Sequence, residues 1–222
     1  MEQWQKELKE QGYTHLKGVV PPEMIAAARA DIDRLRARDS NNLDSKGCDS
    51  IHNLVRKPPM ENYVETALGW DNLAWYQDAG QIAIVPARNA DTPWQLGAHI
   101  DGFFEPGDDC VPFSMLVGVY LSTTPGPFAG NFCVWPGSHL KHEKYFRDRG
   151  PDAMKGGQPR LYYDHSVQLV VQAGDAVIAH YLCAHGTAGN MSDVDRIAVY
   201  FRICAKGDRW QQLTNLWHSW KF

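Results

Sequence analysis

The chain has 222 residues, 44% of them hydrophobic and 22% charged, the make-up of a globular domain long enough to bury a sizeable core. Its formal net charge of −4 excludes a nucleic-acid footprint, no apolar run reaches the ~20 residues of a membrane span, and the charged N-terminus lacks an apolar signal core. Five dispersed cysteines (Cys48, Cys110, Cys133, Cys183 and Cys204), without a Cys-x-x-Cys pair, exclude a zinc ribbon or a redox dithiol and read as buried free thiols of a cytoplasmic protein.

In chain order, residues 2–11 read as a short polar helix and residues 12–20 as a strand. Pro21 and Pro22 open a helix over 22–37, where Met24, Ile25, Ala28, Ile32 and Leu35 recur at helical spacing. The charges Arg29, Asp33, Arg34, Arg36 and Arg38 fall on its solvated side. Residues 39–59, rich in Asn, Asp, Ser and Pro, read as a loop, and residues 60–77 as a further helix. From residue 80 the pattern turns to strands, expected at 81–85, 94–100, 112–121, 131–135, 167–171, 176–184 and 197–204. Short strands punctuated by Gly, Pro and Asp predict a sandwich or barrel. Trp210, Trp217 and Trp220 are expected to tie the tail to the body. With no repeat or low-complexity linker, the chain reads as a single domain, residues 1–222. Residues 1–79 form its helix-rich part, 80–205 its β core and 206–222 its tail.

The chemistry centres on Gly97-Ala98-His99-Ile100-Asp101-Gly102. In an extended segment residues i and i+2 share a face, so His99 and Asp101 reach one point together. Two histidines and one carboxylate with open positions opposite is the arrangement of non-haem Fe(II) oxygenases, and it requires a second histidine. His-x-Asp alone is common by chance. His185, read as the end of a strand before a Gly-rich turn, is the candidate. His180, five residues earlier, falls on the opposite face of a regular strand. Either histidine taken alone is more often structural. Arg196 follows His185 by eleven residues. Its planar fork suits bidentate capture of a carboxylate, and the competing reading is a salt bridge to Asp193 or Asp195.

Together these segments resemble the phytanoyl-CoA dioxygenase family of Fe(II)/2-oxoglutarate-dependent oxygenases. The resemblance runs from Gly12-Tyr13-Thr14-His15 through Pro21-Pro22-Glu23 and His99-x-Asp101 to Gly130–His139, which ends in Pro136-Gly137-Ser138-His139. It closes on Gly174-Asp175, His185-Gly186-Thr187, Asn190-x-Ser192 and Arg196. It implies a mainly β fold with flanking helices around a double-stranded β-helix (jelly-roll, cupin-like) core. It also implies His99, Asp101 and His185 as catalytic iron ligands, Arg196 as the group that binds the distal carboxylate of 2-oxoglutarate, Thr187 as a hydroxyl assisting there, and Gln81 facing the cosubstrate. Pro136–His139 is implied to be a structural turn, with His139 and His142 outside the ligand set. In related halogenases a small residue replaces the carboxylate, so Asp101 points to hydroxylation or another oxidation.

The implied cofactor is Fe(II), with 2-oxoglutarate and O2 as cosubstrates and release of succinate and CO2. The implied partner is a small-molecule substrate, with neither nucleic acid nor membrane involved. Arg88, Trp94, Phe103 and Phe104 flank the His-x-Asp segment as candidate substrate contacts. No basic cluster suits a CoA ester, so the family name does not transfer a substrate. Desaturation, cyclisation or epimerisation on the same cofactors is one alternative to hydroxylation. A cupin-like metal- or ligand-binding protein without turnover is another.

Overall fold

The computed structural model describes residues 1–40, 42–74, 80–102, 107 and 110–222. Helix α1 (Gln3–Gln11) stops at Gly12, whose φ of +85° lets its N–H close on the Leu8 carbonyl. A side chain at Gly12 would also run into the His139 ring. Strand β1 (Tyr13–Leu16) is shorter than the stretch expected. Helix α2 (Pro22–Arg38) buries Ile25, Ala28, Ile32 and Leu35, the periodic apolar face. Where the composition suggested a loop, α3 (Asp49–Arg56) forms and buries Ile51, Leu54 and Val55. The polar surroundings hide a one-sided apolar pattern too short to stand out. Helix α4 (Met60–Ala67) ends well before residue 77, because Gly69 takes φ +77° and turns the chain into a 3-10 turn over Trp70–Asn72. Residues 75–77 of the expected helix lie outside the described residues.

Five antiparallel strands form the larger sheet in the order β1-β6-β3-β8-β2: β2 (Gln81–Val85), β3 (Met115–Tyr120), β6 (Ala176–His180) and β8 (Arg196–Ile203) with β1. The smaller sheet runs β5-β4-β7: β4 (Phe132–Val134), β5 (Val167–Gln168) and β7 (His185–Thr187). Residues 94–100, expected as a strand, contribute isolated bridges instead, Gln95 to Ala188 and His99 to His185, which extend the small sheet beyond β7. After Pro136-Gly137 comes helix α5 (Ser138–Arg149), where only a turn was expected. Its buried face is Ser138, His139, His142 and Phe146, so helical spacing is present but carried largely by polar residues. A last short helix, α6 (Arg209–Thr214), lies in the tail.

The larger sheet is buried on both sides, which explains why β3 is apolar throughout. One face, with Met115, Val117, Val119, Ile178, Ile197 and Val199, packs on the helical layer through Ile32, Leu54 and Val64. The other, with Leu116, Tyr120, Val177, Ala179 and Ala198, meets Phe132 and Val134 of the small sheet. The sheets face each other without closing into a barrel, and the fold is the cupin-like jelly roll with flanking helices. Trp217 and Trp220 pack edge-on, 5.4 Å apart, and anchor the tail over His180. Among the described residues no helix is long and apolar enough to cross a membrane.

Candidate metal centre

The strand expected over 176–184 stops at His180. The chain then turns, with the Cys183 N–H donating to the His180 carbonyl, and enters the opposite sheet at His185. His185 therefore opens β7 rather than closing β6. Across from it, His99 is held by a reciprocal pair of backbone hydrogen bonds, His99 N to His185 O at 3.1 Å and His185 N to His99 O at 2.9 Å. Between His99 and Asp101, the Ile100 backbone is bracketed by the Gln158 side chain, which accepts from its N–H and donates to its carbonyl. The Tyr181 hydroxyl donates to the Asp101 carbonyl at 2.9 Å. Gly102 follows at φ +79°, with the Val111 carbonyl where a Cβ would sit. Only glycine fits there.

These contacts bring one potential ligand atom each from His99, Asp101 and His185 within 4.8 Å of one another. Asp101 Oδ1 lies 3.7 Å from His99 Nε2 and 3.6 Å from His185 Nε2. The Nδ1 atoms face carbonyls, that of Gly97 for His99 at 3.5 Å and that of Cys183 for His185 at 3.1 Å. That partnering puts the proton on Nδ1 and leaves the Nε2 lone pair toward the common point. Burial and the neighbouring His185 lower the His99 pKa, favouring the neutral, ligating form. Burial acts to raise the Asp101 carboxyl, but its neighbours His185 and the Arg202 guanidinium outweigh it and hold the group well below the usual carboxylate range. Neutral imidazoles and an ionised carboxylate are the donor set a divalent ion requires.

A cavity of about 270 Å³ opens beside these atoms, walled by Leu116, Phe132 and Tyr200, with Thr187, Arg196 and Arg202 as polar lining. Phe132 stacks on the His185 ring at 5.3 Å. Strand β8 divides by its period of two. Arg196, Tyr200 and Arg202 face the cavity, and Ile197, Val199, Phe201 and Ile203 face the helices. Arg196 is buried, donating from Nε to the Gly130 carbonyl at 2.7 Å and from Nη1 to the Ala83 carbonyl at 3.2 Å. The competing salt bridge does not form. Asp195 pairs with Arg36 at 3.1 Å, and Asp193 pairs with Arg88. Among the described residues the buried Tyr200 hydroxyl has no partner other than the equally buried Tyr120 hydroxyl. Cys133, close to Arg196, is pushed up to about 12 by burial, which removes it as a nucleophile.

Gln81 also lines the cavity, with its Oε1 accepting from Arg202 Nη1 at 2.7 Å. Arg88 lies at the surface in its pair with Asp193, outside the cavity lining. Trp94 packs its indole over Gly189 and is likewise outside the lining. Phe103 and Phe104 lie outside the described residues. Leu96, half exposed, stands on the cavity rim instead. Of the residues not anticipated, Arg202 and Tyr200 carried a readable signal, since both keep the two-residue period from Arg196 along an otherwise apolar strand. His180, His139 and His142 stand apart from the site. Their burial depresses them to about 3, 4 and 4.

The family model described as phytanoyl-CoA dioxygenase (PhyH) matches residues 8–198. No curated protein matches the chain. Among solved structures, the epimerase SnoN in complex with Fe3+, alpha ketoglutarate and nogalamycin RO is 19% identical, covers 92% of this chain and 85% of its own, and superposes with a TM-score of 0.65. The carbocyclase SnoK from nogalamycin biosynthesis is 20% identical over 95% of this chain and 88% of its own, with a TM-score of 0.63. HygX from Streptomyces hygroscopicus, with nickel and 2-oxoglutarate bound, is 16% identical over 93% and 87%, with a TM-score of 0.63. At these identities the likeness establishes the fold.

Proposed function

The chain belongs to the phytanoyl-CoA dioxygenase family, and on that premise we propose that it is an Fe(II)- and 2-oxoglutarate-dependent dioxygenase that hydroxylates a small molecule. The observation that carries the reading is the sharing of one cavity by the His99–Asp101–His185 cluster and a buried arginine that no protein carboxylate neutralises among the described residues. A buried guanidinium without an anion is costly, and a cosubstrate carboxylate supplies that anion.

In this reading His99, Asp101 and His185 hold the iron. Bound there, iron supplies O2 activation coupled to the oxidative decarboxylation of 2-oxoglutarate to succinate and CO2. The chain's own residues position and exclude. The Nδ1 contacts to Gly97 and Cys183 fix the ligating tautomers. Arg196 anchors the distal carboxylate by charge-assisted hydrogen bonds, with the buried Tyr200 hydroxyl and Thr187 as further partners. Phe132 and Leu116 keep water from this end of the cavity. At about 270 Å³ the cavity is smaller than sites that engulf a drug-sized ligand. The cosubstrate fills most of it, and the substrate approaches at the mouth beside Leu96.

SnoN and SnoK, described as an epimerase and a carbocyclase, favour a second reading in which the same cofactors drive stereoinversion or ring closure. Incubation of the protein with Fe(II), 2-oxoglutarate and O2 over a panel of small molecules, read by succinate release and product mass, separates the two. A gain of one oxygen establishes hydroxylation. A loss of two hydrogens establishes desaturation or cyclisation, and unchanged mass with succinate released indicates epimerisation. A protein that binds neither a divalent ion nor 2-oxoglutarate overturns both.

A further inference from the structure

Arg202 is the charged residue of the cavity with no part in the reading above. It donates from Nε to Asp101 Oδ2 at 2.8 Å and from Nη1 to Gln81 Oε1 at 2.7 Å, and its Nη2 lies 2.8 Å from the same Asp101 Oδ2. Asp101 Oδ1 is left facing the two imidazoles. Both side chains of the pair are largely shielded, with relative exposures of 18% and 15%, so solvent screens the contact little. The contact is set by the sheet. On the paired strands β2 and β8, Gln81 stands opposite Tyr200, and Arg202 lies two residues further along on the same face. That diagonal is within reach of long side chains. Gln81 thereby gives the guanidinium a second partner beside the Asp101 oxygen.

Resting on the proposed function, we propose that Arg202, braced by Gln81, is a positioning residue that makes Asp101 a one-oxygen metal ligand. A six-coordinate ion held by three protein atoms keeps three places, two for a chelating 2-oxo acid and one for O2. A carboxylate bound through both oxygens takes a fourth place, and the cosubstrate then fills the shell. The guanidinium on Oδ2, with its Nε hydrogen bond and the adjacent Nη2, occupies the oxygen that second contact needs. A lysine cannot reproduce this, because a point charge lacks the planar fork. The partner of a metal-bound carboxylate is therefore expected to govern how many positions remain open, in line with the influence of such outer contacts on metal sites.

The test uses nitric oxide as a stand-in for O2 on the anaerobic protein loaded with Fe(II) and 2-oxoglutarate, read by electron paramagnetic resonance. Cosubstrate affinity is measured in parallel by calorimetry. In the wild type, nitric oxide binds. In Arg202→Met, its affinity falls by about 10–100-fold while 2-oxoglutarate affinity stays within about threefold. Arg202→Lys and Gln81→Leu show smaller losses of the same sign, and added methylguanidine partly restores Arg202→Ala. Should Arg202→Met not fold, the lysine and Gln81 variants and the rescue decide alone. Nitric oxide binding at wild-type affinity in every variant that takes up iron and 2-oxoglutarate overturns the proposal. So does an effect confined to substrate KM, which would make Arg202 an anchor for an anionic substrate. A wild type that takes up no iron overturns the functional reading itself, and this inference with it.

Discussion

His180 and His185 stand on either side of one turn, and both are buried. At His180 each ring nitrogen is used within the protein. Nε2 donates to the Leu216 carbonyl at 2.8 Å, and Nδ1 accepts from the Leu182 N–H at 3.0 Å. The ring is stacked on Trp220. At His185 only Nδ1 has a backbone partner, and Nε2 faces Asp101 and His99. His142 repeats the first pattern, with Leu182 and Tyr163 on its two nitrogens. Burial and residue type are thus shared by both kinds of histidine. What separates a packing histidine from a candidate ligand is whether the fold leaves one nitrogen unspent, pointing at a carboxylate.

The comparison breaks most directly by exchanging the two losses. His185→Ala, like His99→Ala or Asp101→Ala, is expected to reduce iron-dependent succinate release to background while the protein stays folded. His180→Ala is expected to lower unfolding stability by about 3 kcal/mol and to leave turnover per folded molecule unchanged. Urea titrations paired with succinate assays check both, and a stable but inactive His180→Ala would erase the distinction. Next in size is Arg196→Ala, which should weaken 2-oxoglutarate binding by about 10–100-fold with metal affinity retained, read by calorimetry. Unfolding with cosubstrate affinity intact in the folded fraction would return Arg196 to a packing role.

The packing histidines also carry a pH signature. Their folded values of about 3 to 4 lie below the unfolded value near 6.5. The unfolded chain therefore binds more protons between roughly pH 6.5 and 4, and stability falls as pH falls through that window. Each of the three histidines contributes on the order of 1 kcal/mol per pH unit in its middle. Denaturant midpoints at pH 7 and pH 5 test this, and equal stability at the two would contradict the burial of neutral rings. The smallest effect is expected from Arg88→Ala, which loses only an exposed pair with Asp193. Its thermal midpoint and succinate release should match the wild type.

Periodicity made α2 and the strands β2, β3 and β8 legible, because each has a clear apolar face or run. It failed at α5, where the buried side is Ser138, His139 and His142 with Phe146 as its one large apolar residue. It failed again over residues 94–100, whose bridging partner lies about ninety residues away at His185 and Ala188. At the site, His99 and Asp101 were readable as a local pair, whereas Arg202 depends on a contact to Asp101 that spans 101 positions. Long-range pairing leaves no trace in a window of neighbours. Only the alternation along β8 hinted that Arg202 shares a face with Arg196.

The reciprocal backbone bridge between His99 and His185 has a consequence for metal choice. Backbone hydrogen bonds pair the two segments that carry these imidazoles, so sheet pairing holds them side by side. Capture of a cation then requires little ordering of chain, and cobalt, nickel or manganese would meet the same ready-made opening as iron. Discrimination among them falls to relative affinity for nitrogen and oxygen donors and to the supply of each ion in its surroundings. On the proposed function, the chain is expected to be loaded, stripped and reloaded with different metals as one folded body, which circular dichroism of the stripped and reloaded protein checks.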